Sequence, residues 1–152
     1  MSSDVYPDGL DCVWLATDRE LNLGVFFTGG SGPIPVGMLH DCSFAIENVE
    51  EAIENLPIVS EARLLIQVNR PDDFYDMAKK GFFVYDWRDV HRTIRECSNK
   101  YEPVASPISP ITIDDLPESL KQLALRAKLL TFSFAKGQDL DIESEIECHK
   151  AV

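Results

Sequence analysis

Cys12-Val13-Trp14-Leu15-Ala16-Thr17 and Leu23-Gly24-Val25-Phe26-Phe27-Thr28, with Asp18-Arg19-Glu20-Leu21-Asn22 between them, decide the reading of this chain. Both runs are rich in apolar, β-branched and aromatic side chains and are bounded by polar residues, which is the pattern of strands. The intervening residues supply a polar turn, so the pair predicts a β-hairpin. Directly after it, Gly29-Gly30-Ser31-Gly32-Pro33-Ile34-Pro35 is expected to break regular structure.

Further along, Phe44, Ile46, Val49, Ala52, Ile53 and Leu56 fall at helical spacing. Ser43 can cap that helix and Pro57 ends it. Ala62–Val68 reads as a strand or short buried segment, and Pro71-Asp72-Asp73 opens a second helix that runs to Lys80 and stops at Gly81. Phe82–Trp87 is an aromatic strand. Pro103, Pro107 and Pro110 make the segment after Tyr101 an expected edge piece, because proline cannot donate to a central ladder. Asp114, Asp115 and Pro117 introduce a third helix to about Leu130, with Leu116, Leu120, Leu123, Ala124, Ala127 and Leu130 on one side. Thr131–Ala135 and Asp139–Cys148 read as two closing strands around Lys136-Gly137-Gln138. The sum is one α+β domain over residues 1–152, with a mainly antiparallel sheet and about three helices. Trp14, Phe26, Phe44, Ile53, Phe83, Leu120, Leu123 and Phe132 are the expected core.

The net charge of −12 is unevenly spread. Residues 1–70 hold 11 acids and 3 bases, residues 71–138 hold 10 of each, and residues 139–152 hold 5 acids and 1 base. Such a surface repels nucleic acid and anionic membranes and steers basic partners inward. In Asp139–Glu147 an acid stands at every odd position while Leu140, Ile142 and Ile146 fill most even ones. As a strand, that segment would carry five carboxylates on one face. The ladder suits either a basic partner or a solvated edge strand whose charges block aggregation. Asp18 and Glu20, at the hairpin tip, could extend the patch, so the candidate partner-binding residues are Asp18, Glu20, Asp139, Asp141, Glu143, Glu145 and Glu147.

Other chemistries find little support. The glycine loop lacks Gly-Lys-Ser/Thr, no helix follows it directly, and Pro33 and Pro35 remove two backbone donors, so a phosphate cradle is not expected. His40 with Cys42, and Cys148 with His149, are single pairs without the doubled short spacing of zinc sites. A calcium loop starting at Asp139 fails at Ser144 and Lys150. His91 lies near Asp86 and Asp89 without a nucleophile elbow. No catalytic residue, cofactor or metal is therefore assigned. Met1–Gly9 has neither a basic region nor an apolar run, so it does not read as a signal peptide, and no stretch approaches a membrane span. A cytoplasmic protein with reduced, mostly buried cysteines is expected.

The segments Val13–Arg19, Leu23–Pro35 and Gly81–Trp87 resemble small bacterial proteins encoded beside polymorphic toxins of the Rhs, contact-dependent or type VI-delivered kind. The resemblance implies an immunity protein, which binds and neutralises a cognate toxin. It covers about a quarter to a third of the chain, in scaffold segments, and carries no binding residues across. A toxin that attacks nucleic acid has a basic cleft, because phosphate contacts dominate its affinity. An acidic inhibitor covers such a cleft, and this is the favoured expectation. Two alternatives stand beside it: a small enzyme using His91 and nearby carboxylates, and an adaptor or chaperone for a secreted effector.

Overall fold

Alternation along the first hairpin sorts its side chains onto two faces, and the rest of the molecule is built on that division. The computed structural model describes residues 6, 7, 9–39, 45–65, 72–87 and 100–150. Its elements run β1 (Val13–Thr17), β2 (Leu23–Phe27), β3 (Ile34–Pro35), α1 (Val36–Leu39), α2 (Val49–Glu54), β4 (Ala62–Leu64), α3 (Asp72–Lys79), β5 (Phe83–Trp87), β6 (Tyr101–Pro107), α4 (Glu118–Ala124), α5 (Ile142–Glu145) and β7 (Cys148–His149). The architecture is α+β, with a sheet ordered β1-β2-β5-β6-β4 and a two-stranded ribbon of β3 and β7. Every sheet pair is antiparallel except β2 with β5.

The expected hairpin forms, with Trp14 opposite Phe26. On that face Trp14 stacks on Phe26 at 4.0 Å between centroids, and Phe26 stacks on Tyr85 of β5 at 5.0 Å. The Trp14 indole N–H donates to the Tyr101 hydroxyl, which donates to the Pro33 carbonyl. On the other face, Phe27 meets Phe74 of α3 edge-on. Helices α2 and α3 pack there against β1, β4, β5 and β6. The aromatic face is covered instead by the chain after α4. Phe134 seats its ring over Gly24, where a Cβ would come within 2.7 Å of it.

Trp14, Phe26, Ile53, Phe83, Leu120 and Leu123 are buried as expected, while Phe132 is half-buried and Phe44 lies outside the described residues. Cys12 is buried and Cys148 half-buried, both as free thiols.

Several expectations need correction. The proline-spaced segment is not an edge piece: β6 lies between β5 and β4. Pro103 is accommodated where the β5–β6 register shifts, next to Tyr85, and Pro107 is the last residue of its strand. Both are positions where a missing donor is tolerated. The edge on this side of the sheet is β4, a short strand with Arg63 and Leu64 exposed rather than a buried segment, and residues 66–70 lie outside the described ones. Ile34–Pro35, expected as loop, forms β3, and the helical turn Val36–Leu39 follows it directly where no helix was expected. The first helix begins as a 3₁₀ turn at Ile46, while Ser43 lies outside the described residues.

The third helix ends at Ala124 because the free edge of β1 captures the backbone that follows. Thr17 N–H donates to the Ala127 carbonyl, and Leu129 N–H donates to the Thr17 carbonyl. That switch turns Leu130 outward, at 74% exposure. The two closing strands are also absent. Phe134–Lys136 is a 3₁₀ turn closed by Gly137 in the left-handed region at φ 65°, where glycine is unstrained. The acidic run is not a ladder: Ile142–Glu145 is a single helical turn, and only Cys148–His149 pairs as strand. Leu140 exchanges both backbone bonds with Tyr101, and Ile142 is buried.

Candidate functional site

The hairpin tip and the acidic tail meet through the chain around Thr131–Phe134. Ser133 hydroxyl donates to Glu20 Oε1 at 2.6 Å, and Thr131 hydroxyl donates to Glu145 Oε1 at 2.7 Å. These anchors are two residues apart, so at most about 7 Å of chain separates them. Glu20 and Glu145 thus flank one short segment, and Asp139 follows it closely. Glu20, at the hairpin tip, is exposed and is tied to Ser133.

Asp18, expected as an exposed residue of the patch, is instead 3% exposed. Its Oδ1 accepts from Glu20 N–H and Asn22 N–H, and its Oδ2 accepts from Phe134 N–H at 2.8 Å. A carboxylate so occupied holds the turn and the tail together and presents nothing to a partner. Asp139, Asp141, Glu143 and Glu147 are exposed and Glu145 is half-buried. Only Glu143 and Glu145 lie in the helical turn, with Asp141 at its N-cap, so the five do not stand on one strand face. Glu143 pairs with Lys150 at 2.7 Å, and this hydrogen bond raises the Lys150 pKa. Burial pushes the Cys148 thiol up to about 12, with Glu143 adding to the effect. Burial also raises Cys12, reinforced by Asp11, Glu47 and Glu50, so both described thiols are poor nucleophiles at neutral pH.

The aromatic face is left partly uncovered. A groove of about 360 Å³ lies over β5, β6 and β4, walled by Phe134, Ala135 and Gly137. Phe83, Tyr85, Pro103 and Ala105 line it from the sheet side, with Leu65 and Ile108 also along it. Tyr85 is buried and its hydroxyl has no hydrogen-bond partner. Leaving such a donor unsatisfied costs about 1–3 kcal/mol. Burial raises the Tyr85 pKa, helped by the negative charges of Asp18 and Asp139, so the phenol stays protonated.

Against protein-family models, curated proteins and solved structures, the chain matches none. The site is therefore read from its own chemistry.

A second acidic surface went unread in the sequence. Glu47, Glu50, Glu51 and Glu54 recur at helical spacing opposite the buried Val49 and Ile53. Asp73 and Asp76 of α3 come alongside, sharing with Glu54 a pocket of about 310 Å³ that Lys80 also lines. Asp76 pairs with Lys79 at 3.5 Å, and the Lys80 ammonium donates to the Glu54 and Leu56 carbonyls. Glu50 has its pKa raised, first by burial and then by Glu54, Asp73 and Asp11. The signal was present as the polar stripe of a helix already expected.

Among the described residues, no three His, Cys, Asp or Glu side chains gather as a metal set. None of the described helices is long and apolar enough to cross a membrane. His91 and Asp89, the core of the enzyme alternative, lie outside the described residues.

Proposed function

We propose that this chain is an immunity protein: it binds a basic bacterial toxin, favoured to be one that attacks nucleic acid, and neutralises it by covering the toxin's substrate cleft. The observation that carries this reading is a set of acids that no described lysine or arginine pairs with. Glu47, Glu50, Glu51, Glu54 and Asp73 form no ion pair with a described lysine or arginine, and the same is true of Asp139 and Asp141. Like charges held together raise the free energy of the isolated protein, and a cationic partner relieves that repulsion on binding.

The Asp139 side supports docking better than the α2–α3 side, because Gly137, two residues before Asp139, lines a groove that also holds Leu65, Phe83 and Ile108. A specific interface combines an apolar centre with a polar rim. The α2–α3 acids then act at longer range, adding to the field that steers a basic protein toward the molecule.

Co-expression with the toxin domain encoded next to this chain tests the reading. Restored growth together with a complex that survives gel filtration is the expected result. Toxicity that persists with no complex at micromolar concentration would refute it.

A further inference from the structure

We propose that β4 is a self-association edge: two copies of this chain pair their β4 strands antiparallel about a two-fold axis at Ala62, joining their sheets into one. The proposal goes beyond the toxin reading and does not rest on it.

The backbone of β4 has one side in use and one to spare. The strand ends the sheet order, with β6 as its inner neighbour. Leu65 N–H donates to the Val104 carbonyl, and Ile108 N–H donates to the Glu61 carbonyl. Glu61, Arg63 and Leu65 therefore direct their backbone groups at β6, while the N–H and C=O of Ala62 and Leu64 point away from the sheet. Among the described residues, no strand takes up that outer side. An edge of this kind is a template for another strand unless it is covered or blocked. The opposite edge is covered, since Thr17 of β1 bonds to Ala127 and Leu129.

The side chains select a second copy as the occupant. Glu61 and Arg63 stand on the same face of the strand. With the axis at Ala62, Glu61 of each copy lies opposite Arg63 of the other, and the two pairs are equivalent. Ala62 then exchanges both backbone bonds with Ala62 of the second copy, as its outward N–H and C=O require. An axis at Glu61 or at Arg63 would instead set that charge against itself. The edge thus carries its own complement in one register. From Asn55 to Leu65 the chain holds one acid, Glu61, and one base, Arg63, so two chains of net charge −12 meet there on a locally neutral stretch.

Exposed apolar surface gathers at the same place. Ile58, Val59, Leu64, Leu65 and Ile108 are five of the nine large apolar side chains left exposed among the described residues. Ile58 and Val59 lead into β4, Leu64 lies in it, Leu65 follows it, and Ile108 is held beside Glu61 by its backbone bond. Such concentrations mark protein contacts. Three residues make a short ladder, so the dimer is a weak one, in the class of interfaces below about 1,200 Å². Phe83 and Phe134, at the other end of the groove that Arg63 and Leu65 line, lie on β5 and over β2 and stay outside this contact.

Sedimentation of the full chain from micromolar to millimolar concentration tests the proposal, and a monomer–dimer equilibrium is the expected result. Arg63→Glu leaves two acids on the edge and Glu61→Arg leaves two bases. Each alone should weaken association about tenfold or more, because two attractive cross-strand pairs become repulsive. Glu61→Arg gives the sharper reading, since it makes the chain less acidic and a general charge effect would tighten the dimer. Mixing the two variants should restore dimers containing one copy of each, because every acid again faces a base. Both side chains are exposed, so the fold tolerates either change. Ala62→Pro, which removes an outward N–H, should abolish association. A monomer at millimolar concentration, tighter association by Glu61→Arg, or no recovery on mixing would overturn the proposal. A chain that is monomeric alone but loses a toxin partner on Ala62→Pro would also overturn it and assign the edge to that partner.

Discussion

The Oδ2 atom of Asp18 accepts the backbone N–H of Phe134 across 2.8 Å, joining the first hairpin to a segment 116 residues later. The other carboxylate oxygen holds the hairpin's own turn through Glu20 and Asn22. One side chain therefore sets both the local turn and the seat of the groove wall. Asp18→Ala should cost about 3 kcal/mol, since it removes several charge-assisted bonds and leaves buried N–H groups unpaired. Asp18→Asn, which keeps one acceptor oxygen, should cost less. Urea denaturation of the two variants checks the order, and a wild-type midpoint for Asp18→Ala would show that the tie carries no stability.

Gly24 and Phe134 make a second checkable pair. A methyl group at residue 24 would sit 2.7 Å from the Phe134 ring. Gly24→Ala should destabilise by about 1–3 kcal/mol through overpacking. Phe134→Leu should cost about 1–2 kcal/mol by leaving space. Combined, the two should cost less than their sum, because the smaller side chain gives the methyl room. Strict additivity in a double-mutant cycle would show that the ring does not rest on the glycine.

Acidity should favour this fold more than usual over one window, and Glu50 supplies part of the reason. Its folded pKa stands above the reference 4.5, from burial first and neighbouring carboxylates second. A carboxyl raised in this way takes up its proton first in the folded state. Its contribution to stability is full below the reference value and is lost as pH rises through the folded pKa. Glu50→Gln should therefore raise stability at pH 7 and reduce the gain seen between pH 7 and pH 4. Thermal midpoints of both proteins at those two pH values provide the measurement, and an unchanged pH response would show that Glu50 does not contribute.

Charge reversal separates docking from steering. Asp139→Lys with Asp141→Lys should slow association with a basic partner by about tenfold or more at low salt, within the range of electrostatic steering. Glu47→Lys with Glu51→Lys, on the α2 side, should slow it by about two- to threefold and leave dissociation unchanged. Both effects should shrink in 0.5 M salt, where screening acts over only a few ångströms. Stopped-flow association rates for the two variants would decide which side docks. Equal slowing by both would place the contact on neither side in particular.

The hairpin, the aromatic strand β5 and helices α2 and α3 were readable because each carries its own periodicity, and burying one side of each follows from that pattern. The α+β class followed from their order along the chain. The tail misled because alternation of acid and apolar residues is satisfied by a strand, but two buried side chains can be served as well by a bend followed by one helical turn. Leu140 is held by backbone bonds to Tyr101 and Ile142 is buried, and no local pattern announces either partner. Asp18 read as an exposed recognition residue because loop tips are usually solvated, and the N–H that buries it comes from Phe134. The groove was not legible at all. Tyr85, Ala105 and Phe134 lie far apart in sequence and converge only through the pairing of β5 with β6 and the seating of Phe134 on Gly24. Local amino-acid order thus determined the hairpin, the strand β5, the helices α2 and α3 and how acidic the chain is. Long-range backbone pairing and ring packing decided where the acids and the apolar groove come together, because those contacts join residues that share no local pattern.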